Sequence, residues 1–322
     1  MDERKLGRGG HGHQRQLRNI QIERAIGAAP HNSRAVGRIE GAALIFKPRH
    51  QVFAGQFYES AIITQRCAPA PCEHRQMARR RFLVERIRDN AAEVRGEDAR
   101  HLARVLRAEA GQQYEVSDGA GVYLAEIAAV EKERVIFRVI EALDTPQAPV
   151  RLTLCPALIK FDRFEWLVEK ATELGVAGIV PVDAARSETG LSEAARKRAA
   201  RWRRIAHESS QQARRLGPPE IAGPVSLGVA LELGMGLRYF LDEKPGARPL
   251  LAAIPPHADR RSADRVLLLT GPEGGWTDAE RSAATAAGWT PVSLGPLILR
   301  AETAAIAAAA IVSHAWWASR LE

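Results

Sequence analysis

From residue 150 onward, short apolar runs alternate with helical patterns, and no other feature of the sequence restricts the fold as much. The helical patterns cover residues 161–175, about 192–215, a segment that opens at Thr277, and the alanine-rich end of the chain. Alternating strands and helices are typical of an α/β domain with a mainly parallel sheet. The predicted strands are "VRLTLCPALI" (150–159), "AGIVPVD" (177–183), "LRYFLDE" (237–243), "RVLLLTG" (265–271) and "TPVSLG" (290–295).

Local signals predict the ends of some of these helices. Asp162 with Glu165, and Thr277 with Glu280, have the spacing of a capping box. In that motif each side chain accepts a hydrogen bond from the backbone N–H of the other residue at the start of a helix. Gly175 is the predicted stop of the helix that begins near Asp162, because glycine readily adopts the left-handed conformation that ends many helices.

A shorter, strand-rich region precedes this domain. The segment 96–107 is predicted to be a helix with Leu102, Val105 and Leu106 facing inward. Around it lie the strand-like runs "FLVERI" (82–87), "QYEVSD" (113–118), "VYLAEIAAV" (122–130) and "RVIFRVI" (134–140). Several short strands joined by tight turns predict a small β-barrel. With "DTPQAP" as linker, we predict one domain over residues 77–146 and a second over 147–322.

Residues 1–76 lack this periodicity. They hold 12 of the 46 Lys+Arg residues but only 6 of the 38 Asp+Glu residues, so most of the net charge of +8 belongs to them. The rest of the chain must therefore bind any nucleic acid through local basic patches. Because "MARRRFLVERI" from Met77 reads as a plausible start, we expect 1–76 to be a disordered extension or a misassigned start. A ribosome-contacting tail is the alternative.

Three cysteines without a disulfide pattern indicate a reducing, cytoplasmic protein. No apolar run is long enough for a membrane helix, and we expect neither a membrane partner nor a metal ion.

Two glycine-containing loops follow predicted strands, "TGPEGGWT" (270–277) and "LGPLILRAET" (294–303). In open α/β sheets, ligands bind beyond the carboxyl ends of the strands. No G-K-[ST] follows the first loop, which excludes a P-loop, and its glycine spacing excludes the dinucleotide fingerprint. Backbone polar groups and aliphatic walls, offered by two adjacent loops, suit an adenosine.

These loops, together with "GEDARHLARVLR", "KFDRFEWLVEKATELGVAGIVPV" and "RWRRIAHESSQQARR", resemble the bacterial 16S ribosomal RNA (uridine-N3) methyltransferases of the SPOUT superfamily. The resemblance spans residues 77–322. It implies a SPOUT-type parallel sheet with a trefoil knot, preceded by a PUA-like β-barrel, and a homodimer that acts on small-subunit ribosomal RNA in an assembled subunit.

The same resemblance implies that the two loops hold S-adenosyl-L-methionine. The cofactor-binding residues expected from it are Leu269, Thr270, Gly271, Pro272, Glu273, Gly274, Gly275, Leu294, Gly295, Ile298, Leu299 and Arg300. One departure concerns the segment 208–212, which reads "ESSQQ" where the family commonly has "EAAEQ". An amide, Gln211, thus stands where a carboxylate is usual.

Arg300 and Glu302 are the candidate catalytic residues. As N3 of a uridine loses its proton, negative charge spreads to two carbonyl oxygens, and a fixed cation such as Arg300 stabilises it. Glu302 orients Arg300 or caps the following helix in the favoured interpretation. A general-base role is the alternative, and the proton acceptor is either Glu302 or solvent.

Basic residues on two predicted helices are candidates for RNA contacts, because phosphates are bound mainly by arginine and lysine. The candidates are Arg100, His101, Arg104, Arg107, Arg201, Arg204, Arg214 and Arg215. A solvated helix face is the plainer interpretation of such charges. Trp202 is expected to pack inward, and His207 to be a structural or surface residue.

Two other functions stay open at this point. A SPOUT enzyme that methylates ribose 2′-oxygens would share the cofactor loops. A non-catalytic RNA-binding assembly factor would need neither the intact 271–275 loop nor Arg300.

Overall fold

The computed structural model of this protein describes residues 81–145 and 147–320. The predictions for residues 1–76 therefore lie outside the described residues. Within the described ranges, none of the helices combines the length and the apolar character that crossing a membrane requires.

The first part of the described chain forms a six-stranded sheet. The strands are β1 (Arg81–Leu83), β2 (Ile87–Arg88), β3 (Ala91–Arg95), β4 (Gln113–Ser117), β5 (Val122–Val130) and β6 (Arg134–Leu143). They lie in the order β1-β4-β5-β6-β3-β2, with a parallel β1–β4 pair and antiparallel pairs elsewhere. Phe82, Phe137 and Ile127 are fully buried in the core of this sheet.

One helix, α1 (Gly96–Arg104), packs on this sheet through Ala99 and Leu102. The predicted helix over 96–107 is wrong at its C-terminal end, since Val105 and Leu106 are exposed rather than inward-facing. Arg107 has a φ of +50°, a left-handed conformation that redirects the chain. The apolar contact is resumed by Ala108, which is buried. A single predicted strand over 82–87 is likewise replaced by the two short strands β1 and β2.

The second part is built on a seven-stranded sheet in which every pair is parallel, as the alternation predicted. The strands are β7 (Arg151–Pro156), β8 (Gly178–Ile179), β9 (Val182–Asp183), β10 (Glu220–Ile221), β11 (Val225–Ser226), β12 (Leu237–Leu241), β13 (Arg248–Pro249), β14 (Arg265–Thr270) and β15 (Thr290–Ser293). The order in the large sheet is β10-β8-β7-β14-β12-β15-β13, and β11 and β9 form a separate parallel pair.

Two apolar cores show that residues on opposite faces of this sheet are covered. Leu268 and Leu154 belong to one core, and Leu267, Leu269 and Cys155 to the other. Both faces of a parallel sheet are normally covered by helices, which explains the nearly continuous apolar sequence of β14. The helices are α2 (Phe161–Glu173), α3 (Leu191–Gln212), α4 (Leu227–Leu231), α5 (Leu250–Ala253), α6 (Asp278–Ala286) and α7 (Ala301–Ala318), with a short 3₁₀ turn at His257–Asp259.

The predicted helix ends have mixed outcomes. The capping box of Thr277 and Glu280 is present at the start of α6, and Gly175 follows α2 with a φ of +85°. The capping box predicted at Asp162 is wrong, because α2 begins one residue earlier, at Phe161, and no side chain caps it. Trp202 of α3 is fully buried, as expected.

Candidate active site

Three loops meet beyond the carboxyl ends of neighbouring parallel strands. In the sheet, β12 lies between β14 and β15, so the loop after β12 separates the two glycine-containing loops that the sequence singled out. The three loops enclose a cavity of about 920 Å³, lined among others by residues 241–247, 271–275 and 292–301. The sequence had predicted the outer two loops, and the central one was missed.

Most of the expected cofactor-binding residues line this cavity. Ten of the twelve do so: Gly271, Pro272, Glu273, Gly274, Gly275, Leu294, Gly295, Ile298, Leu299 and Arg300. The other two, Leu269 and Thr270, are buried in β14 beneath the loop. They support the site from the strand and do not line the cavity.

The 271–275 loop is held in a conformation that only glycine adopts easily. Gly275 has a φ of +67°, and its N–H donates to the carbonyl oxygen of Pro272 at 2.9 Å. A Cβ at this position would lie 2.5 Å from Oε1 of Glu243, which belongs to the central loop. The absence of a side chain at Gly275 therefore lets the first and central loops approach each other.

Two further contacts fix the 271–275 loop against the central loop. The indole N–H of Trp276 is buried and donates to the carbonyl oxygen of Leu241 at 2.9 Å. Arg281 on α6 donates from Nε to Asp242 and from Nη2 to Glu243, at 2.9 and 2.5 Å. Both acidic residues line the cavity while paired with Arg281, and the sequence analysis did not identify them.

The third loop presents unusually exposed apolar side chains. Leu297 and Ile298 are 78% and 80% exposed, although both line the cavity. Neighbouring apolar groups left in water mark a surface that gains free energy when a ligand covers them. The aliphatic wall expected from the sequence is thus in place.

Arg300 and Glu302 lie at the junction of this loop and α7. Arg300 lines the cavity, is exposed, and occupies the N-cap position of α7 without a side-chain capping bond. Glu302 is only 6% exposed. The expectation that Glu302 caps the helix is wrong, since Arg300 is the N-cap residue. The negative charge of Glu302, in the first turn of α7, still suits the positive end of the helix dipole.

The charged neighbour of Glu302 is Arg163, which the sequence analysis missed. Oε1 of Glu302 lies 4.0 Å from Nε of Arg163, and Arg163 also donates to Glu273. Oε2 of Glu302 is buried and has no hydrogen-bond partner among residues 81–145 and 147–320. Arg163 lies in the first turn of α2, the helix that follows β7, and no motif marks it in the sequence.

Several predicted RNA-binding arginines are engaged with acidic residues. Arg201 pairs with Glu165 at 2.7 Å, and Arg204 pairs with Glu208 at 3.0 Å and with Glu97 of α1. All three of Arg100, Arg104 and Arg107 are exposed, and Arg100 lies 3.3 Å from Glu133. His101 is half-buried on the same helix.

The last two predicted RNA-binding residues lie at the junction between the two sheets. Nη2 of Arg214 is 3.6 Å from Glu115. Arg215 donates to the carbonyl oxygens of Thr172 and Val176 at 2.7 and 2.8 Å. Burial lowers the pKa of Arg215 to about 10. Arg215 therefore satisfies the carbonyl groups at the end of α2, which is a structural role.

Gln211, the departure noted in the sequence, has a structural explanation. Its amide Nε2 donates to Oδ2 of Asp98 on α1 at 2.7 Å, and Nε2 of His207 lies 2.7 Å from the same oxygen. A carboxylate at position 211 would repel that of Asp98 across the junction. Among the described residues, no group of His, Cys, Asp and Glu side chains is arranged to hold a metal ion.

Comparison with known families identifies this arrangement. Residues 146–313 match the family described as "RNA methyltransferase domain". Residues 94–140 match a second family, described as "RNA methyltransferase PUA domain". The parallel sheet, its cavity and the preceding PUA-like domain thus define an RNA methyltransferase. The chain belongs to the ribosomal RNA small subunit methyltransferase E family, a SPOUT family.

Two relatives illustrate the extent of the match. The ribosomal RNA small subunit methyltransferase E of Bacillus subtilis is 30% identical over 247 residues, which cover 73% of this chain and 96% of that protein. The protein of the same name from Synechocystis is 34% identical over 217 residues, covering 66% and 69%.

Solved structures agree in fold. The ribosomal RNA small subunit methyltransferase E of Neisseria gonorrhoeae, bound to S-adenosyl methionine, matches with a TM-score of 0.65 and 29% identity, covering 74% of this chain and 98% of that one. A putative methyltransferase of Legionella pneumophila, in complex with the same cofactor, gives a TM-score of 0.63 and 30% identity, covering 73% and 97%.

Proposed function

We propose that this protein transfers the methyl group of S-adenosyl-L-methionine to N3 of a uridine in 16S ribosomal RNA. The observation that carries the proposal is the three-loop cavity with Arg300 on its edge, in a chain of the small-subunit methyltransferase E family. The substrate is proposed to be an assembled small subunit, in which the target base is turned out of its stack.

The residues of the cavity fit the cofactor. About 920 Å³ is within the range of small-molecule sites, and Leu297, Ile298 and Leu299 offer an apolar wall for an adenine ring. Asp242, Glu243 and Glu273 offer carboxylate oxygens on the other two loops, as acceptors for polar groups of the ligand. When bound, this cofactor supplies a methyl group already activated by its sulfonium charge.

The protein's own groups act on the base. Arg300 stabilises the negative charge that develops on the base carbonyl oxygens as N3 is deprotonated, because its guanidinium can donate two parallel hydrogen bonds. Rigid loops align the two reacting atoms, because Trp276 and Arg281 tie the first and central loops together. Glu302 belongs to the same site and holds its basic side in place.

RNA contacts are proposed for the exposed basic residues of the PUA-like domain and of α3. Arg104 and Arg107 are the strongest candidates, since neither forms an ion pair within residues 81–145 and 147–320. Arg100, Arg201, Arg204 and Arg214 contribute charge near these residues, and His101 lies on the same helix as Arg104. Arg215 is not proposed as an RNA contact, because its guanidinium is occupied by backbone carbonyl groups.

The trefoil knot, the domain boundaries at 146/147 and a homodimer are further parts of the proposal. The knot is supported by three loops that close around one cavity after β12, β14 and β15. A second copy would cover Trp166 of α2 and Trp317 of α7, which are both 47% exposed on helices that pack together. Light scattering on the purified protein tests the dimer.

Methyl transfer tests the proposed activity. Purified protein is mixed with isotopically labelled S-adenosylmethionine and small subunits that lack the modification. We expect label in 16S RNA from the wild type and a rate lower by about 10²-fold or more for Arg300→Met, with cofactor binding retained. Equal rates for both proteins would remove Arg300 from the mechanism, and absence of label with the wild type would refute the activity.

A further inference from the structure

We propose that Arg163 is a second catalytic cation, which contacts the target base together with Arg300, and that Glu302 acts by positioning Arg163. This inference rests on the proposed methyl transfer to N3 and names a residue for it. A deprotonated uridine carries its negative charge on two carbonyl oxygens, one on each side of N3. A site that stabilises both oxygens needs donors on two sides, and Arg300 alone supplies one.

Arg163 is placed where a second donor is needed. Arg163 lies on α2, the helix that follows β7. Because β7 is the neighbour of β14 in the sheet, α2 begins beside the 271–275 loop. Arg163 lines the cavity and its side chain is 32% exposed, which leaves the guanidinium accessible from the cavity. The charged residues that line this cavity are Arg163, Asp242, Glu243, Lys244, Glu273 and Arg300.

Two carboxylates lie beside the Arg163 guanidinium, and one of them, Glu273, accepts a hydrogen bond from it. Its Nη1 donates to Glu273 on the first loop, and its Nε lies 4.0 Å from Glu302 at the start of α7. Nη2 forms no hydrogen bond with the described part of the chain, so a donor remains for a ligand. Arginine suits this task because its planar fork can be fixed by some N–H groups while others bind a substrate.

Glu302 is suited to positioning rather than to contact with the base. It is buried beneath the loop, and the cavity is lined by its neighbours Arg300 and Ala301 rather than by Glu302 itself. A buried carboxylate without a cation is costly, whereas the more exposed pair with Glu273 contributes little. We therefore expect Glu302, at 4.0 Å, to do more than the exposed Glu273 to fix the position of Arg163.

In the proposed step, the N3 proton passes to solvent water while Arg163 and Arg300 stabilise the imide anion. The N3–methyl bond then forms as the sulfur–methyl bond breaks, and the sulfonium becomes a neutral thioether. Because two cations favour the anion, removal of Arg163 should lower the methyl-transfer rate most at neutral pH. The rate should fall least under alkaline conditions, where the imide loses its proton without help from a cation.

The test is single-turnover methyl transfer by the full-length protein from neutral to alkaline pH. For Arg163→Met we expect a rate about 10²-fold lower at neutral pH and a deficit that shrinks below about 10-fold in alkaline buffer. Affinity for S-adenosylhomocysteine, measured by calorimetry, should change by less than about threefold.

Arg163→Lys should recover part of the rate, and Glu302→Gln should not lower the rate further in the Arg163→Met background. Arg261→Met is the matched control, because Arg261 precedes β14, away from the cavity, and its methyl-transfer rate should equal that of the wild type.

Other outcomes contradict the inference. A loss that is uniform across pH and accompanied by weaker S-adenosylhomocysteine binding would make Arg163 a cofactor ligand. An unchanged rate, or additive effects of Arg163→Met and Glu302→Gln, would also overturn it. If Arg163→Met does not fold, the pH dependence of Arg163→Lys decides. Failure of the wild type to form N3-methyluridine would instead refute the proposed function itself.

Discussion

Arg81 and Glu115 form a buried ion pair, with Nε and Nη2 of Arg81 at 3.0 and 2.9 Å from Oε2 of Glu115. The remaining nitrogen of the guanidinium, Nη1, donates to the carbonyl oxygen of Arg214 just beyond α3. Ser117 adds a hydrogen bond from its hydroxyl to the carbonyl oxygen of Leu216 at 2.7 Å. The PUA-like domain is thus tied to the methyltransferase domain through buried polar contacts.

Arg81→Met should destabilise the protein by about 3 kcal/mol, because it leaves the buried carboxylate of Glu115 with only the longer contact to Arg214. Urea unfolding gives the change directly. Arg138→Met is the control, since its pair with Glu126 is far more exposed and should contribute less than about 1 kcal/mol. Equal effects of the two substitutions would show that burial of the Arg81 pair is energetically unimportant.

Gly275→Ala should weaken cofactor binding by about tenfold. The alanine must adopt a positive φ, which costs about 1–2 kcal/mol, and its Cβ displaces the Glu243 carboxylate. Calorimetry with S-adenosylhomocysteine measures the affinity. Gly228→Ala serves as control, because nothing lies within 4 Å of its Cβ position and it sits in α4. Wild-type affinity in Gly275→Ala would mean that the loop adapts freely.

Arg104→Ala and Arg107→Ala should weaken RNA binding without unfolding the protein. If each arginine contacts a phosphate, each substitution should lower the slope of log affinity against log salt by about 0.7–0.9. Binding to small-subunit RNA across a salt series provides the measurement. Arg215→Ala should instead lower the melting temperature, because Arg215 is bonded inside the protein. Unchanged slopes would assign Arg104 at the end of α1, and Arg107 in the turn after it, to an ordinary solvated surface.

The thiol of Cys155 should resist alkylation in the folded protein. Burial raises the pKa of Cys155 to about 12, from an ordinary value of 9.0, so the reactive thiolate is scarce. Since the unfolded chain releases this proton at lower pH than the native state, the free energy of unfolding should fall as pH rises above 9.0. Labelling of a Cys67→Ser/Cys72→Ser variant isolates this thiol. Fast labelling under native conditions would contradict its burial.

Elements with a strong periodic pattern could be predicted from the sequence. The apolar run of β14 and the alternation around it gave a parallel sheet, and Thr277 with Glu280 gave the start of α6. The end of α1 could not be predicted, because Leu106 continues the helical pattern while Arg107 adopts a positive φ. That turn is set by the contact of Ala108 with the core, which is a tertiary effect.

The site was predictable only where a motif marks it. Gly271 to Gly275 and Arg300 stand in recognisable loops, whereas Asp242 and Glu243 follow an ordinary strand. Their place in the cavity depends on β12 lying between β14 and β15, and strand order is not readable from residues alone. Arg163 was missed for the same reason, since its link to Glu302 joins segments 139 residues apart in the chain.

The position of the transferred methyl group tests the central claim most directly. Full-length protein and a chain of residues 77–322 would each be given labelled S-adenosylmethionine and undermethylated small subunits. The 16S RNA would then be digested to nucleosides and analysed by mass spectrometry. We expect label in N3-methyluridine from both proteins. Label on a ribose 2′-oxygen, or no label from a protein that binds the cofactor, would contradict this account.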